Sequence, residues 1–362
     1  MSNKTISFPH LGKYYIPVEY LLKKVTNLNV SPSPPITKKT IDLGSKYSPD
    51  FVCIPFKYNL GNLIESLDNG ANILLQAGGG CRYGYYKEIQ EVILKDMGYK
   101  FDFYTLTEEG KVDLKYIFKT FKKLNQDLSF IKFAHYALLT LLMIDYMDNI
   151  DDFIRLNIGF EVNKNDFTNL NRKMLKDFTK CNNFFTLTFN YLKYKRKFKK
   201  IKINKPRNPL KVGIIGELYT SMEPFSNYFL ETELAKMNIQ VKRFTNVSYL
   251  LLKKKFKKNK MLKYAKDYIT YPIGADGLDN VYRTKKLIHD GYDGIIHIKP
   301  FGCTPEIGAM PIIKNICKDY KMPIIYFSFD NQTSVEGIKT RLEAFYDMLM
   351  MKKGGRQWTN VI

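Results

Sequence analysis

The sequence predicts an α/β protein with two Rossmann-like parallel-sheet domains and a helical middle segment. Short apolar runs alternate with amphipathic stretches before residue 110 and after residue 207, a pattern typical of parallel strands joined by crossover helices. Between these regions the short apolar runs give way to long helical patterns. At 362 residues, 45% of them hydrophobic, the chain is long enough for two or three domains with their own cores.

The first domain is predicted to span residues 1–110. Its most apolar run, ANILLQ at residues 71–76, predicts a buried strand. The other predicted elements of this domain are strands at residues 5–8, 29–31 and 101–106 and helices at residues 17–25, 38–46, 60–67 and 85–97.

Residues 111–206 are predicted to form a helical segment that ends in a basic linker. Runs such as LKYIFKTFKKL and HYALLTLLMIDYM have helical spacing. The last run, KYKRKFKKIKINKPRNP, combines lysines with two prolines, which is typical of a linker. Residues 130–147 are apolar but carry Lys132, His135 and Asp145, so we expect a buried core helix there and no membrane span.

The second α/β domain is predicted to span residues 207–362. Its last helix has the best-marked start, because Thr333 and Glu336 have the spacing of a capping box. Its apolar face is predicted to consist of Ile338, Leu342, Phe345 and Leu349. The predicted elements are strands at residues 211–215, 240–244, 294–298 and 323–329 and helices at residues 227–237, 249–266, 282–289, 306–320 and 333–350.

Composition indicates a cytoplasmic protein. The first residues lack the order of a secretion signal, and no stretch of about 18 residues is free of charge. Five cysteines are an odd and sparse number that does not suggest a disulfide framework. The cysteines are therefore interpreted by their positions.

Three cysteines precede predicted helices: Cys53 in DFVCIPF, Cys81 in GGGCRYG and Cys303 in FGCTPEI. The positive end of a helix stabilises a thiolate, and thiolates favour iron-sulfur clusters or zinc. Glycines such as Gly80 would let backbone N–H groups reach cluster sulfurs. If the two sheets face each other, all three thiols point into one cleft, and we favour a [4Fe-4S] cluster over zinc. The alternative is that they are buried apolar side chains, the interpretation we prefer for Cys181 and Cys317.

Four charged residues lie close to these cysteines or to strand ends. Glu217, Lys299 and Glu306 are candidates for tuning a metal centre or handling protons, with surface or capping roles as the alternative. Arg82 is a candidate to pair with an anionic substrate or with a carboxylate beside the metal. His297 lies inside an apolar strand and is predicted to be a core histidine.

Several longer segments resemble the 2-hydroxyacyl-CoA dehydratase superfamily, above all its stand-alone proteins related to the 2-hydroxyglutaryl-CoA dehydratase D-component and to the acyl-CoA dehydratase activase. They include FPHLGKYYIPV, the residues around Cys53 and Cys81, VGIIGELYTSMEPF, IHIKPFGCTPEI and TRLEAFYDML. The resemblance implies that Cys53, Cys81 and Cys303 ligate an iron-sulfur cluster. The loop before Cys81 departs from the family form, which carries a proline at that position.

The resemblance also implies an activity and partners. Dehydratases of this superfamily receive one electron from an ATP-hydrolysing iron-sulfur activator of the actin-like ATPase fold, and the reduced acyl-CoA thioester then expels a neighbouring hydroxyl. Some relatives carry a double-cubane cluster. Such a cluster needs six cysteines, so this chain, with three at the proposed site, could build it only by sharing thiols across a dimer. The resemblance therefore implies an iron-sulfur dehydratase or reductase component in an anaerobic setting, as a homodimer or heterodimer. The alternative is a non-catalytic scaffold or a zinc-bearing interaction protein.

The net charge of +22 is concentrated in two runs. Residues 193–211 hold ten basic residues and no acid, and residues 253–266 hold eight more. We consider a solvated basic face first and a docking surface for an acidic partner or for the CoA phosphates second. Nucleic-acid binding is disfavoured, because few aromatic residues interrupt the lysines and no binding motif is present.

Overall fold

The computed structural model describes residues 4–108 and 112–359, with side chains as far as residue 354. The chain divides into two compact units. Residues 1–144 and 179–184 form the first unit, and residues 145–178 and 185–362 form the second. The domain limits expected near residues 110 and 206 stay a prediction, and the first of them lies outside the described residues.

The first unit contains a four-stranded sheet in which every pair of neighbouring strands is parallel. The strand order is β2-β1-β3-β4. Because β1 and β3 are neighbours, the chain direction across the sheet reverses between them, which creates a topological switch point. All four predicted strands are confirmed, as β1 Thr5–Ser7, β2 Asn29–Val30, β3 Ile73–Gln76 and β4 Asp102–Thr105.

The helices that begin in the first unit are α1 Tyr15–Val25, α2 Lys38–Tyr47, α3 Ile54–Asp68, α4 Tyr86–Asp96, α5 Leu114–Leu124 and α6 Phe130–Asn157. Helix α3 is buried over nearly its whole length. Its backbone approaches α2 so closely that a Cβ atom on Gly61 would lie 1.9 Å from the carbonyl oxygen of Thr40. Helix α3 begins well before the predicted residue 60, because Pro55 lies in its first turn, where a missing N–H costs nothing.

The second unit repeats the same topology, with strand order β6-β5-β7-β8 and parallel pairing throughout. Every residue of β7 is buried, and its register with both neighbours is continuous. The switch point lies between β5 and β7. All four predicted strands are confirmed, as β5 Lys211–Gly216, β6 Gln240–Arg243, β7 Gly294–Pro300 and β8 Ile324–Phe329. Together the two sheets and the helices between them confirm the predicted fold class.

The remaining helices are α7 Asp166–Phe178, α8 Phe184–Lys199, α9 Leu218–Met222, α10 Leu230–Lys236, α11 Lys258–Tyr264, α12 Gly277–His289, α13 Thr304–Asp319 and α14 Val335–Thr359. The predicted helical middle is confirmed by α5 to α8. Helix α8 extends to Lys199, so residues 193–199 of the basic run are helical and do not form an extended linker. The predicted apolar face of α14 is confirmed, because Ile338, Leu342, Phe345 and Leu349 are all buried in the core of this unit.

Three helix predictions in the second unit are wrong in detail. The helix expected at residues 227–237 begins only at Leu230, because Tyr228 and Phe229 adopt the left-handed conformation. The lysine-rich residues 249–266 do not form one helix but a π-helical turn, a 3₁₀ turn and the short helix α11. The expected capping box is absent from the described contacts of Thr333, whose hydroxyl donates to Asp330 over 2.9 Å.

One helical stretch among the described residues, Phe130–Phe160, is long and apolar enough to cross a membrane by length and composition. Only 33% of its most apolar window is buried. A single stretch of this kind is weak support for a membrane span, since core helices of soluble proteins pass the same test.

Candidate functional site

All three predicted metal-binding cysteines occupy the same kind of position. Cys53 is the N-cap residue of α3, Cys303 is the N-cap residue of α13, and Cys81 is the N-cap residue of the 3₁₀ turn Arg82–Tyr85. None of the three side chains makes a capping hydrogen bond to its own helix. Their sulfur atoms therefore stand at the positive ends of helical segments, where a thiolate is stabilised.

In the first unit, Cys53 and Cys81 both lie close to Tyr86. The Cys53 sulfur is in hydrogen-bond contact with the Tyr86 hydroxyl, and the ring of Tyr86 is buried, with 3% of its surface exposed. Burial raises the pKa of Tyr86, and the neighbouring Cys53 and Cys81 raise it further. The phenol therefore keeps its proton at all physiological pH values.

The loop between β3 and Cys81 is glycine-rich, and its glycines differ in their surroundings. A side chain on Gly78 would collide with the Thr107 hydroxyl, which accepts a 2.8 Å hydrogen bond from the Gly78 N–H. A side chain on Gly80 would meet nothing within 4 Å. Cys81, Gly80 and Arg82 are all exposed, so this end of the loop is accessible to a ligand.

In the second unit, Lys299, Cys303 and Glu306 lie together at the carboxyl end of β7. The Lys299 ammonium donates a 3.1 Å hydrogen bond to the Ser328 hydroxyl. Burial lowers the pKa of Lys299, and the neighbouring Cys303 and Glu306 oppose that shift. Gly302, with φ of +74°, turns the chain between the strand and the cysteine, a conformation that glycine adopts without strain.

Glu306 is completely buried and belongs to a hydrogen-bonded chain. Its carboxyl group accepts a 2.8 Å hydrogen bond from the Asn280 side-chain amide and lies 2.7 Å from the Nε2 atom of His297. Asn280 in turn accepts a 3.1 Å hydrogen bond from the Gly216 N–H at the end of β5. These hydrogen bonds thus join β5, β7 and α12 to the first turn of α13, which follows Cys303. The expectation that His297 is a core histidine is confirmed, because none of its surface is exposed.

Glu217 follows β5, on the other side of the switch point from Cys303. Its carboxyl group caps α9 by accepting hydrogen bonds of 2.9 Å and 2.8 Å from the N–H groups of Tyr219 and Thr220. Desolvation, with a smaller contribution from the nearby Asp276, raises the pKa of Glu217 to about 7, although these hydrogen bonds act to lower it. Glu217 can therefore gain or lose a proton near neutral pH.

An ion-pair network beside Glu217 was not predicted. Lys254 contacts Asp276 at 2.7 Å and Asp279 at 3.5 Å, and Asp279 lies 3.6 Å from Arg283. Burial lowers the pKa of Lys254, but the two aspartates outweigh it and leave the pKa raised. The network could not be predicted because the glycine-rich residues before 282 have the composition of a turn. In the structure α12 already begins at Gly277, so Asp279 lies on this helix.

The described residues contain no group of three or more His, Cys, Asp or Glu side chains that could hold a metal ion. Cys181 and Cys317 are buried, with 3% and 4% of their surface exposed, as expected for structural cysteines. Burial raises the pKa of Cys317 to about 12. These two thiols are therefore poor candidates for metal ligands.

Residues 157–349 match the family model described as 2-hydroxyglutaryl-CoA dehydratase, D-component. The match covers more than half of the chain. The chain belongs to this family. Membership confirms the resemblance to the 2-hydroxyacyl-CoA dehydratase superfamily and supports a role as a dehydratase component with a CoA substrate and an activator partner. No curated protein matches the chain.

The family match includes some predicted site residues and leaves others outside. Glu217, Lys299, Cys303 and Glu306 lie within residues 157–349. Cys53, Gly80, Cys81 and Arg82 lie before them. The site of the first unit therefore depends on its own geometry and on the motifs of the N-terminal sequence.

Proposed function

We propose that this family member is an iron-sulfur component for reductive or radical dehydration of an acyl-CoA. Cys53, Cys81 and Cys303 are the proposed ligands of a [4Fe-4S] cluster. The observation that carries the proposal is that all three cysteines are N-cap residues, so that each lies at the positive end of a helical segment.

The donor chemistry fits this cofactor. Thiolates are the ligands that iron-sulfur clusters use, and exposed glycine-rich backbone next to Cys81 can donate hydrogen bonds to sulfur. When bound, such a cluster supplies single electrons at low potential. With three protein thiolates, such a cluster would have one iron available for a non-protein ligand.

The second unit supplies the groups that would handle protons. Expulsion of a hydroxyl as water requires a proton, and Glu217, with its pKa raised to about 7, is the proposed proton donor. Lys299 is proposed to stabilise negative charge beside Cys303, because its pKa responds to that sulfur. Glu306 is fully buried and bonded to Asn280 and His297, so we propose that it positions the first turn of α13.

The proposed electron donor is an ATP-hydrolysing iron-sulfur activator. The basic runs are the proposed contact for its acidic groups or for the CoA phosphates. Some lysines of these runs already form ion pairs within the chain: Lys253 pairs with Asp145 at 3.1 Å, and Lys254 pairs with Asp276. Exposed basic residues that remain for a partner lie in both runs, for example Lys195, Arg196 and Lys197 in α8 and Lys255 and Lys258 in the second run. Such a protein would work in the cytoplasm under anaerobic conditions.

Anaerobic reconstitution of alanine variants tests the proposal. We expect the wild-type chain to take up about four irons and four sulfides, the content of one [4Fe-4S] cluster. C53A, C81A and C303A should each lose most of that iron. C181A and C317A, which remove buried structural thiols, are the matched controls and should keep it. Stoichiometric zinc without iron, or equal iron in all five variants, would overturn the proposal.

A further inference from the structure

We propose that Tyr86 is a positioning residue for Cys53 and that its hydroxyl donates a hydrogen bond to the Cys53 sulfur. The assignment starts from the direct contact between the two side chains. It deepens the proposed function, since the effect on a cluster rests on Cys53 being a ligand. The contact itself exists without any cofactor.

The direction of the hydrogen bond follows from the surroundings of Tyr86. The phenol is buried, and its hydroxyl contacts the Cys53 sulfur directly. When the Cys53 sulfur is a thiolate or a metal ligand it has no proton to give, so the phenol must be the donor. A hydrogen bond to a ligating sulfur tunes the electronic properties of the metal.

The ring of Tyr86 is held in place by its neighbours. It packs edge-on against Phe56, with ring centroids 4.9 Å apart, and lies against Tyr83 at 4.7 Å. Tyr83 is itself fixed, because its hydroxyl accepts a 2.8 Å hydrogen bond from the Asn59 side chain. Phe56 and Asn59 belong to α3, the helix that Cys53 begins. The tyrosine and the cysteine are therefore positioned by the same helix.

Tyr86 also lies near the second cysteine of this unit, because only one 3₁₀ turn separates it from Cys81. Tyr86 begins α4 immediately after the turn that Cys81 caps. One buried phenol thus lies close to two of the three proposed ligands. Loss of its hydroxyl should affect sulfur chemistry without removing a ligand.

A double-mutant cycle in the metal-free full-length chain tests the contact. Y86F, C53A and the double variant are compared by hydrogen exchange of α3, and we expect a coupling of about fivefold in the opening equilibrium. Y83F removes a neighbouring hydroxyl that is bonded to Asn59. Its cycle with C53A is the matched control, for which we expect no coupling. Coupling equal to that of Y83F would overturn the assignment.

The reduction potential of the reconstituted protein tests the consequence. A donated hydrogen bond stabilises the more negative reduced state, so Y86F should lower the potential by about 59 mV, the one-electron equivalent of a tenfold change. Y83F should leave it near the wild-type value. An unchanged potential in Y86F would overturn the tuning role. If the wild type binds no iron, the proposed function fails, while the coupling cycle still decides whether Tyr86 positions Cys53.

Discussion

The buried carboxyl group of Glu306 offers the sharpest stability prediction. We consider Glu306→Gln, which keeps the size and shape of the side chain but replaces one oxygen by an NH2 group. Glu306 is 0% exposed and faces two partners, the Asn280 amide at 2.8 Å and the His297 Nε2 atom at 2.7 Å. Both oxygens are in use, so the substitution changes the hydrogen bonds and the charge of the side chain but not its size.

The magnitude follows from counting donors. The Asn280 amide must donate to the remaining oxygen, which leaves the new NH2 group facing His297 Nε2. If Nε2 carries the proton, two donors meet. If the proton moves to Nδ1, that atom is buried and has no partner among the described residues. Either arrangement leaves one buried donor unsatisfied, which costs about 1–3 kcal/mol.

Equilibrium unfolding by urea, together with hydrogen exchange of α13, measures the change in the free energy of unfolding. The matched control is Glu343→Gln, at an exposed position of α14, for which we expect a change within about 0.5 kcal/mol. In the reconstituted protein, E306Q should also weaken iron retention, because Glu306 lies one turn after Cys303. A stability equal to that of E343Q would refute the reasoning.

The other predictions concern Glu217 and the contact between α2 and α3. Because the folded-state pKa of Glu217 is raised to about 7, the folded state binds its proton more tightly than the unfolded state, so stability falls as pH rises from the ordinary glutamate range to about 7. E217Q should remove that part of the pH dependence in urea unfolding measured between these limits, and a parallel pH profile in the variant would contradict the shifted pKa. Gly61→Ala would place a Cβ atom 1.9 Å from the carbonyl oxygen of Thr40, so we expect the free energy of unfolding to fall by about 3 kcal/mol or more and the Cys53 contact to weaken. Gly70→Ala is the control, because its Cβ atom would meet nothing within 4 Å. Its φ of +88° should cost about 1 kcal/mol. Equal thermal stability of the two alanine variants would contradict this reasoning, because it would mean that α2 and α3 can move apart at little cost.

The eight strands of the described residues could be predicted from the sequence, because most of them are short runs rich in apolar or aromatic residues between turn residues and that signal is local. Helix ends were harder to predict. Residues 249–266 are rich in helix-forming lysine and leucine. However, the Lys254 ammonium donates a hydrogen bond to Asp276 and the Tyr249 hydroxyl donates one to Asp279, and these tertiary contacts interrupt the helix. The contacts join residues more than twenty positions apart, so no local pattern reveals them.

The candidate site could be predicted only as a set of residue types at helix starts. The N-cap positions of Cys53, Cys81 and Cys303 follow from the glycines and prolines around them. Their partners do not. Tyr86 lies 33 residues from Cys53 and Asn280 lies 26 residues from Glu306, and each pair meets only because the fold packs two helices together.

A thiol-protection experiment tests the central claim most directly. The metal-free and the anaerobically reconstituted chains are alkylated, and the labelling of each cysteine is measured by mass spectrometry. We expect reconstitution to protect Cys53, Cys81 and Cys303 together, while the labelling of Cys181 and Cys317 stays the same. Labelling of any of the three at its metal-free rate in a fully loaded protein would contradict a cluster held by all of them.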